Sequence, residues 1–197
     1  METESGKKAM HDETLLIRRI LNGDAKSFRP LAARYAERVL RLVARLIPSP
    51  EEAEEATQDT LLEAYQSLAR FDARQATFQT WLLRIAYHTA LKHYRRHRRS
   101  VPFLEVGQHW LEAIADDDID TMLDDTTTDR VVLIERAIDT LKPDDQMLLN
   151  LYYFDNRPIR ELSCIMEHDE GYLRSRLQWI RKKLAITIKT LESNEQQ

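Results

Sequence analysis

Residues 105–129 carry nine carboxylates and no Lys or Arg, with too little apolar material for a core of their own. Whatever core this chain builds must therefore come from the two halves on either side. The block is bounded by Pro102 and by the return of apolar periodicity at Arg130. We read residues 101–129 as an acidic linker joining a domain at 10–100 to a second at 130–192.

Each half reads as helical. Glycine and proline number only ten in 197 residues, about 5% against a usual ~12%, whereas Ala, Leu, Glu, Arg and Lys dominate. The expected fold class is all-α, with two small helical domains. Uncharged runs such as 146–154 fall well short of the ~18–20 apolar residues that cross a bilayer, and the N-terminus METESGKKAM has no apolar signal core. One cysteine, Cys164, can form neither an internal disulfide nor, alone, a structural zinc site. A soluble, cytoplasmic protein is the expectation, with Cys164 a small core residue beside Leu162 and Ile165.

A net charge of -4 argues against a free nucleic-acid-binding module. The average hides segregation: residues 1–72 hold 11 basic and 13 acidic side chains, residues 73–104 seven basic and none acidic, and residues 130–197 eleven of each. Alternating blocks suit at least two partners of opposite character, although a single charged run is also what any solvated helix face looks like.

Helical stretches are expected at 13–21, 25–47 and 50–70. Pro50 suits a first helical turn, and Glu51, Glu52, Glu54 and Glu55 lie where the positive end of the helix dipole favours carboxylates. Pro30 lacks a backbone donor and should kink or shorten the second helix. In a fourth helix, 77–99, Phe78, Trp81, Leu82 and Ile85 share a core face, while Arg84, His88, Lys92, Arg95 and Arg99 form a cationic one. His93 and His97 have the i,i+4 spacing of a metal pair, but no acid lies within 73–104 and the surrounding cations disfavour a metal. The glycines, Gly6, Gly23, Gly107 and Gly171, form no phosphate loop. We expect no metal, no cofactor and no enzymatic activity.

Beyond the linker, stretches at 131–141, 144–154, 158–166 and 170–191 have the outline of a helix-turn-helix module. The last places Leu173, Leu177, Ile180, Leu184, Ile188 and Leu191 on an apolar stripe, with Arg174, Arg176, Arg181, Lys182, Lys183 and Lys189 around it. Tyr172, Arg174, Ser175, Arg176, Gln178 and Arg181 are the candidates for contact with a DNA duplex. Glu167 stands where many such turns use Gly, and His168 where an apolar residue is common.

Two segments in this order resemble the extracytoplasmic-function (ECF) group of bacterial sigma-70-family RNA polymerase sigma factors. Residues 51–99 resemble region 2, through Gln58-Asp59-Thr60, Tyr65, Arg70-Phe71-Asp72 and Phe78-Gln79-Thr80-Trp81-Leu82; residues 141–184 resemble region 4, through Leu141-Lys142-Pro143, Glu161-Leu162 and Arg174-Ser175-Arg176-Leu177. The resemblance implies a polymerase subunit whose region 2 docks on the clamp helices of the largest core subunit and holds the minus-ten strand. Region 4 then reads the minus-thirty-five duplex. By motif position, Glu55, Gln58, Asp59, Leu62 and Glu63 are assigned to core polymerase, and Arg74, Gln75, Arg84, His88, Lys92, Arg95 and Arg96 to minus-ten DNA. Many members of the group have Asn and Asp where this chain has His88 and Lys92. Trp81 offers a stacking platform but shares a face with Phe78 and Ile85, which favours core packing. The linker would thread toward the RNA exit path as a polyanion mimic, or serve as a plain tether. An anti-sigma factor is a further implied partner, and no stable homo-oligomer is expected. The competing reading is a stand-alone helix-turn-helix regulator with a dimerising or sensing first domain, which would bind a two-fold duplex site without polymerase.

Overall fold

Helix-favouring composition and amphipathic spacing are realised as helices joined by tight turns, with no strand among the described residues of the computed structural model. Residues 2–97 and 128–195 are described. Arg99 and nearly all of the expected linker, 101–129, lie outside them. The chain divides into two compact units, Met1–His93 and Tyr94–Gln197.

In the first unit, α1 (Glu2–Leu21) begins well before the expected 13–21 stretch. It turns into α2 (Phe28–Ala44) through Gly23, whose φ of 97° suits a residue without Cβ. Asp24 fastens that turn by accepting hydrogen bonds from Arg19 and from the Ser27 hydroxyl. Helix α2 is shorter than the expected 25–47. The helix starts at Phe28 after a single 3-10 turn (Ala25–Ser27), so the donor Pro30 lacks is one that a first helical turn leaves unpaired anyway.

Helix α3 (Pro50–Ser67) starts as its sequence requires. Ser49 is the N-cap, its side chain accepting from the Glu52 amide, and Pro50 occupies the first turn. The face of α3 turned inward is small, with Ala53, Ala56, Thr57, Thr60 and Ala64 all buried. It packs on α2, whose buried residues are Leu31, Tyr35, Val39, Leu42 and Val43. The Thr57 and Thr60 hydroxyls donate to the carbonyls of Ala53 and Ala56, so neither buried hydroxyl needs a partner outside its own helix.

Helix α4 (Phe78–His97) follows the loop 72–77. Its inward face differs from the expected one: Phe78, Leu82, Leu83, Ala86, Tyr87, Ala90 and Leu91 are buried, whereas Trp81 and Ile85 are only half-buried at the margin. An aromatic cluster pins the start of α4, with Phe78 against Tyr35 (5.4 Å between centroids), Phe71 (5.6 Å) and Trp81 (5.6 Å).

The second unit contains α5 (Thr128–Asp139), α6 (Pro143–Leu149), α7 (Ile159–Met166) and α8 (Glu170–Glu195). Pro143 opens α6 with Asp144 and Asp145 in its first turn, and the helix ends in one π turn, Asn150–Phe154. Leu141, Met147, Leu148, Leu151, Leu162, Ile165, Leu173, Ile180 and Ile188 form the core. Between α7 and α8, Glu167 adopts the left-handed conformation (φ 59°, ψ 37°) at the position where the sequence pattern favours Gly. Asp169 then caps α8, its carboxylate accepting from the amides of Gly171 (2.7 Å) and Tyr172 (3.2 Å). A Cβ on Gly171 would meet that carboxylate at 3.0 Å. Cys164 corrects the sequence expectation. Only Leu162, Ile165 and Met166 of α7 turn inward, and the thiol-bearing residue is exposed.

Candidate polymerase and promoter interfaces

On α3, small residues inward leave one continuous outward face. Glu55, Gln58, Asp59, Leu62 and Glu63 follow helical spacing along it and all are exposed, Leu62 at 54%. With no basic residue between Glu51 and Ala69, the face is an acidic surface with an apolar anchor at its centre. Tyr65 extends the apolar part while packing edge-on against Phe28 at 5.1 Å. Asp59 also reaches across to α4, where the nearly buried His93 ring nitrogen Nε2 lies 2.9 Å from its carboxylate. His97, the other member of the i,i+4 pair, has its side chain outside the described residues. Among the described residues no group of three potential metal ligands gathers.

The loop 72–77 is organised by Asp72. Its carboxylate accepts from the Arg74 amide (3.0 Å), from Arg74 Nε (2.9 Å) and Nη2 (2.8 Å), and from Gln75 Nε2 (3.4 Å). The guanidinium beside it holds the Asp72 carboxyl well below the ordinary aspartate range. Both loop residues nominated for strand contact are therefore held by one carboxylate that sequence reasoning did not nominate. Thr77 caps the following helix, accepting from the Thr80 amide at 3.1 Å.

Along α4, Arg84, His88, Lys92, Arg95 and Arg96 are all exposed. Arg84, His88, Lys92 and Arg95 recur on successive turns, and Trp81 stands one turn before Arg84 at the head of that row. Trp81 is half-buried, 5.4 Å from Phe71, which corrects the simple core assignment: the indole supports the aromatic cluster and still borders the cationic row.

On α8, Tyr172, Arg174, Ser175 and Gln178 are exposed, whereas Arg176 and Arg181 are half-buried. Arg174 pairs with Glu170 at 2.7 Å, and Tyr172 stacks with His168 at 4.8 Å. Arg176 is placed differently from the other nominated residues. Its Nε and Nη2 donate to the two carboxylate oxygens of Asp145 at 2.6 and 2.7 Å, and its guanidinium carbon lies 4.0 Å from the centre of the Trp179 ring. Lys183, read from sequence as surface charge, is buried with its ammonium 5.3 Å from the same ring, and desolvation lowers its pKa. Lys182, half-buried and absent from the nominated set, falls in register with Ser175 and Gln178 opposite the apolar stripe. Helical spacing from Leu173 and Leu177 was the available signal.

An acidic helix face, a cationic helix with an aromatic margin and a capped helix-turn-helix are therefore present in one chain. Comparison with known families gives two matches: the Sigma-70 region 2 model over residues 31–100, and the Sigma-70 region 4 model over residues 132–184. The chain belongs to the sigma-70 family. It is similar to the ECF RNA polymerase sigma-E factor of Escherichia coli K12, 28% identical over 186 residues that cover 91% of this chain and 95% of that protein. The RNA polymerase sigma-H factor of Pseudomonas aeruginosa is 26% identical over 185 residues, covering 89% and 93%. Within the family it is an RNA polymerase sigma factor of the ECF group.

Solved structures share the fold. CnrH, in complex with the cytosolic domain of CnrY, aligns with a TM-score of 0.63 at 16% identity, covering 91% of this chain and 98% of that one. The sigma factor RpoE of Bartonella quintana, in complex with the anti-sigma factor NepR, aligns at 0.57 and 18%, covering 83% and 98%. The match to region 2 disfavours a stand-alone regulator, whose first domain would have no reason to carry it. Among the described residues no helix is long and apolar enough to cross a membrane.

Proposed function

We propose that the three charged surfaces divide the work of initiation. The face Glu55, Gln58, Asp59, Leu62 and Glu63 docks on the clamp helices of core polymerase, where the carboxylates meet basic side chains and Leu62 supplies the desolvated centre. Arg74 and Gln75 of the loop, with Arg84, His88, Lys92, Arg95 and Arg96 of α4, hold the opened minus-ten strand: cations follow its phosphates while unstacked bases meet the loop and the Trp81 margin. Helix α8 enters the major groove of the minus-thirty-five duplex. The observation that supports this division most is the uninterrupted cationic row of α4, on a different helix from the acidic face of α3. A sigma factor must present both at once.

The sequence boundaries 10–100, 101–129 and 130–192 are our assignment of region 2, linker and region 4. We place the protein in the cytoplasm with polymerase, acting as a non-catalytic subunit. An anti-sigma factor is the proposed regulator, since the neighbouring sigma factor RpoE of Bartonella quintana is held by the anti-sigma factor NepR. Charge reversal supplies the test: Glu55→Lys with Asp59→Lys should abolish association with core polymerase in a pull-down, while Arg84→Glu with Lys92→Glu should leave association intact and abolish strand opening. Loss of core binding from the α4 reversals alone would refute the division.

A further inference from the structure

We propose that Arg176 is a positioning residue, which sets the rotation of α8 against α6 through Asp145 and Trp179, and that the minus-thirty-five duplex is read by Ser175, Gln178 and Lys182 with Arg174 beside them. The inference rests on the sigma-factor reading and concerns which residues of region 4 carry sequence information.

An arginine that reads guanine needs its fork open toward the groove. The fork of Arg176 is closed on both oxygens of Asp145, a residue 31 positions earlier and only 3% exposed. Turning it toward DNA would strand a buried carboxylate without its partner, a far larger loss than an exposed ion pair would suffer. Trp179 covers the guanidinium plane at 4.0 Å and holds it in that setting. The pairing raises the Arg176 pKa, so the guanidinium stays charged.

Helix register gives the complementary half of the inference. Leu173, Leu177, Ile180 and Leu184 point into the core. At 3.6 residues per turn the opposite face carries Gly171, Ser175, Gln178 and Lys182, while Arg176 lies at the side, toward α6. In that row Ser175 and Gln178 are exposed and Lys182 is half-buried.

The test uses full-length protein assembled with core polymerase and a promoter panel in which each minus-thirty-five base pair is substituted in turn. Arg176→Met and Asp145→Asn should each raise the half-saturating promoter concentration severalfold, by the same factor on every panel member, and leave the maximal rate of open-complex formation unchanged. The double variant should be no worse than the poorer single one, and Arg176→Lys should recover part of the loss. Gln178→Ala should instead flatten the preference at one or two neighbouring base pairs. Flattening at a single base pair by Arg176→Met, additive effects in the double variant, or wild-type affinity in Asp145→Asn would each overturn the proposal. If Arg176→Met loses its helical circular dichroism, Arg176→Lys decides, because it keeps the cation and loses the fork. Failure of the wild-type holoenzyme to initiate would contradict the sigma-factor reading, and is seen before any variant is compared.

Discussion

Replacing Glu167 by Gly should tighten the turn between α7 and α8. Glu167 is held at φ 59° and ψ 37°, a conformation that costs an L-residue ~1–2 kcal/mol. Glycine removes that cost and returns ~0.5–1 kcal/mol as extra freedom of the unfolded chain. The net gain for Glu167→Gly is about 0.5–1 kcal/mol. The turn leads directly into the Asp169 cap of α8, so the gain belongs to the α7–α8 unit. Amide hydrogen exchange on the full chain should show protection of buried α7 and α8 amides rising about two- to fivefold, with α2 and α3 unaffected. Glu167→Ala is the control: it deletes the same charge and keeps the strained backbone, so it should not gain protection. Equal protection in both variants would assign the effect to charge, and reduced protection in Glu167→Gly would refute the strain argument.

Ala56 is fully buried where α3 meets α2, so Ala56→Leu should separate the helices and cost about 1–3 kcal/mol, read as a lower melting temperature with core binding lost in parallel. Because Asp72 has its pKa lowered on folding, its contribution to loop order is present above the ordinary aspartate range and is lost as pH falls through the lowered value. A carboxyl-resolved NMR titration should therefore place Asp72 below ordinary aspartates, and Arg74→Ala should move it back; an unchanged titration would contradict the pairing. Cys164 should react with a thiol reagent in the fully folded protein, whereas reaction only after denaturation would restore the core assignment. Replacing Asp116, Asp117, Asp118 and Asp120 by Asn should weaken core affinity and alter abortive synthesis if the linker mimics a polyanion; unchanged behaviour would leave it a tether.

What the sequence made legible was local. The start of α3 follows from Pro50 and the acids after it, because a proline and a dipole act within one turn; the Ser49 cap was seen only in the structure. Glu167 stood out in the sequence only as a departure from the Gly that many such turns use; its left-handed conformation is seen in the structure. The cationic row of α4 followed from periodicity, and the acidic face of α3 from its run of acids and the family resemblance. The pairings that position those surfaces did not. Asp145 finds Arg176 across 31 residues, and His93 finds Asp59 across 34. Charge counting left Arg176 and Lys183 on the surface, since a periodic pattern assigns a face but not the neighbour that closes over it. Cys164 was misplaced for a related reason. On so short a helix, an apolar neighbour two positions away points in another direction.

The central claim is that this chain confers promoter-specific initiation on core polymerase. Run-off transcription with purified cognate core, with and without the protein, on a pool of genomic promoter fragments tests it most directly. New start sites preceded by two shared motifs at fixed spacing are the expected result, with little duplex binding by the free protein. Specific duplex binding by the protein alone, together with no core association and no new start sites, would contradict the account.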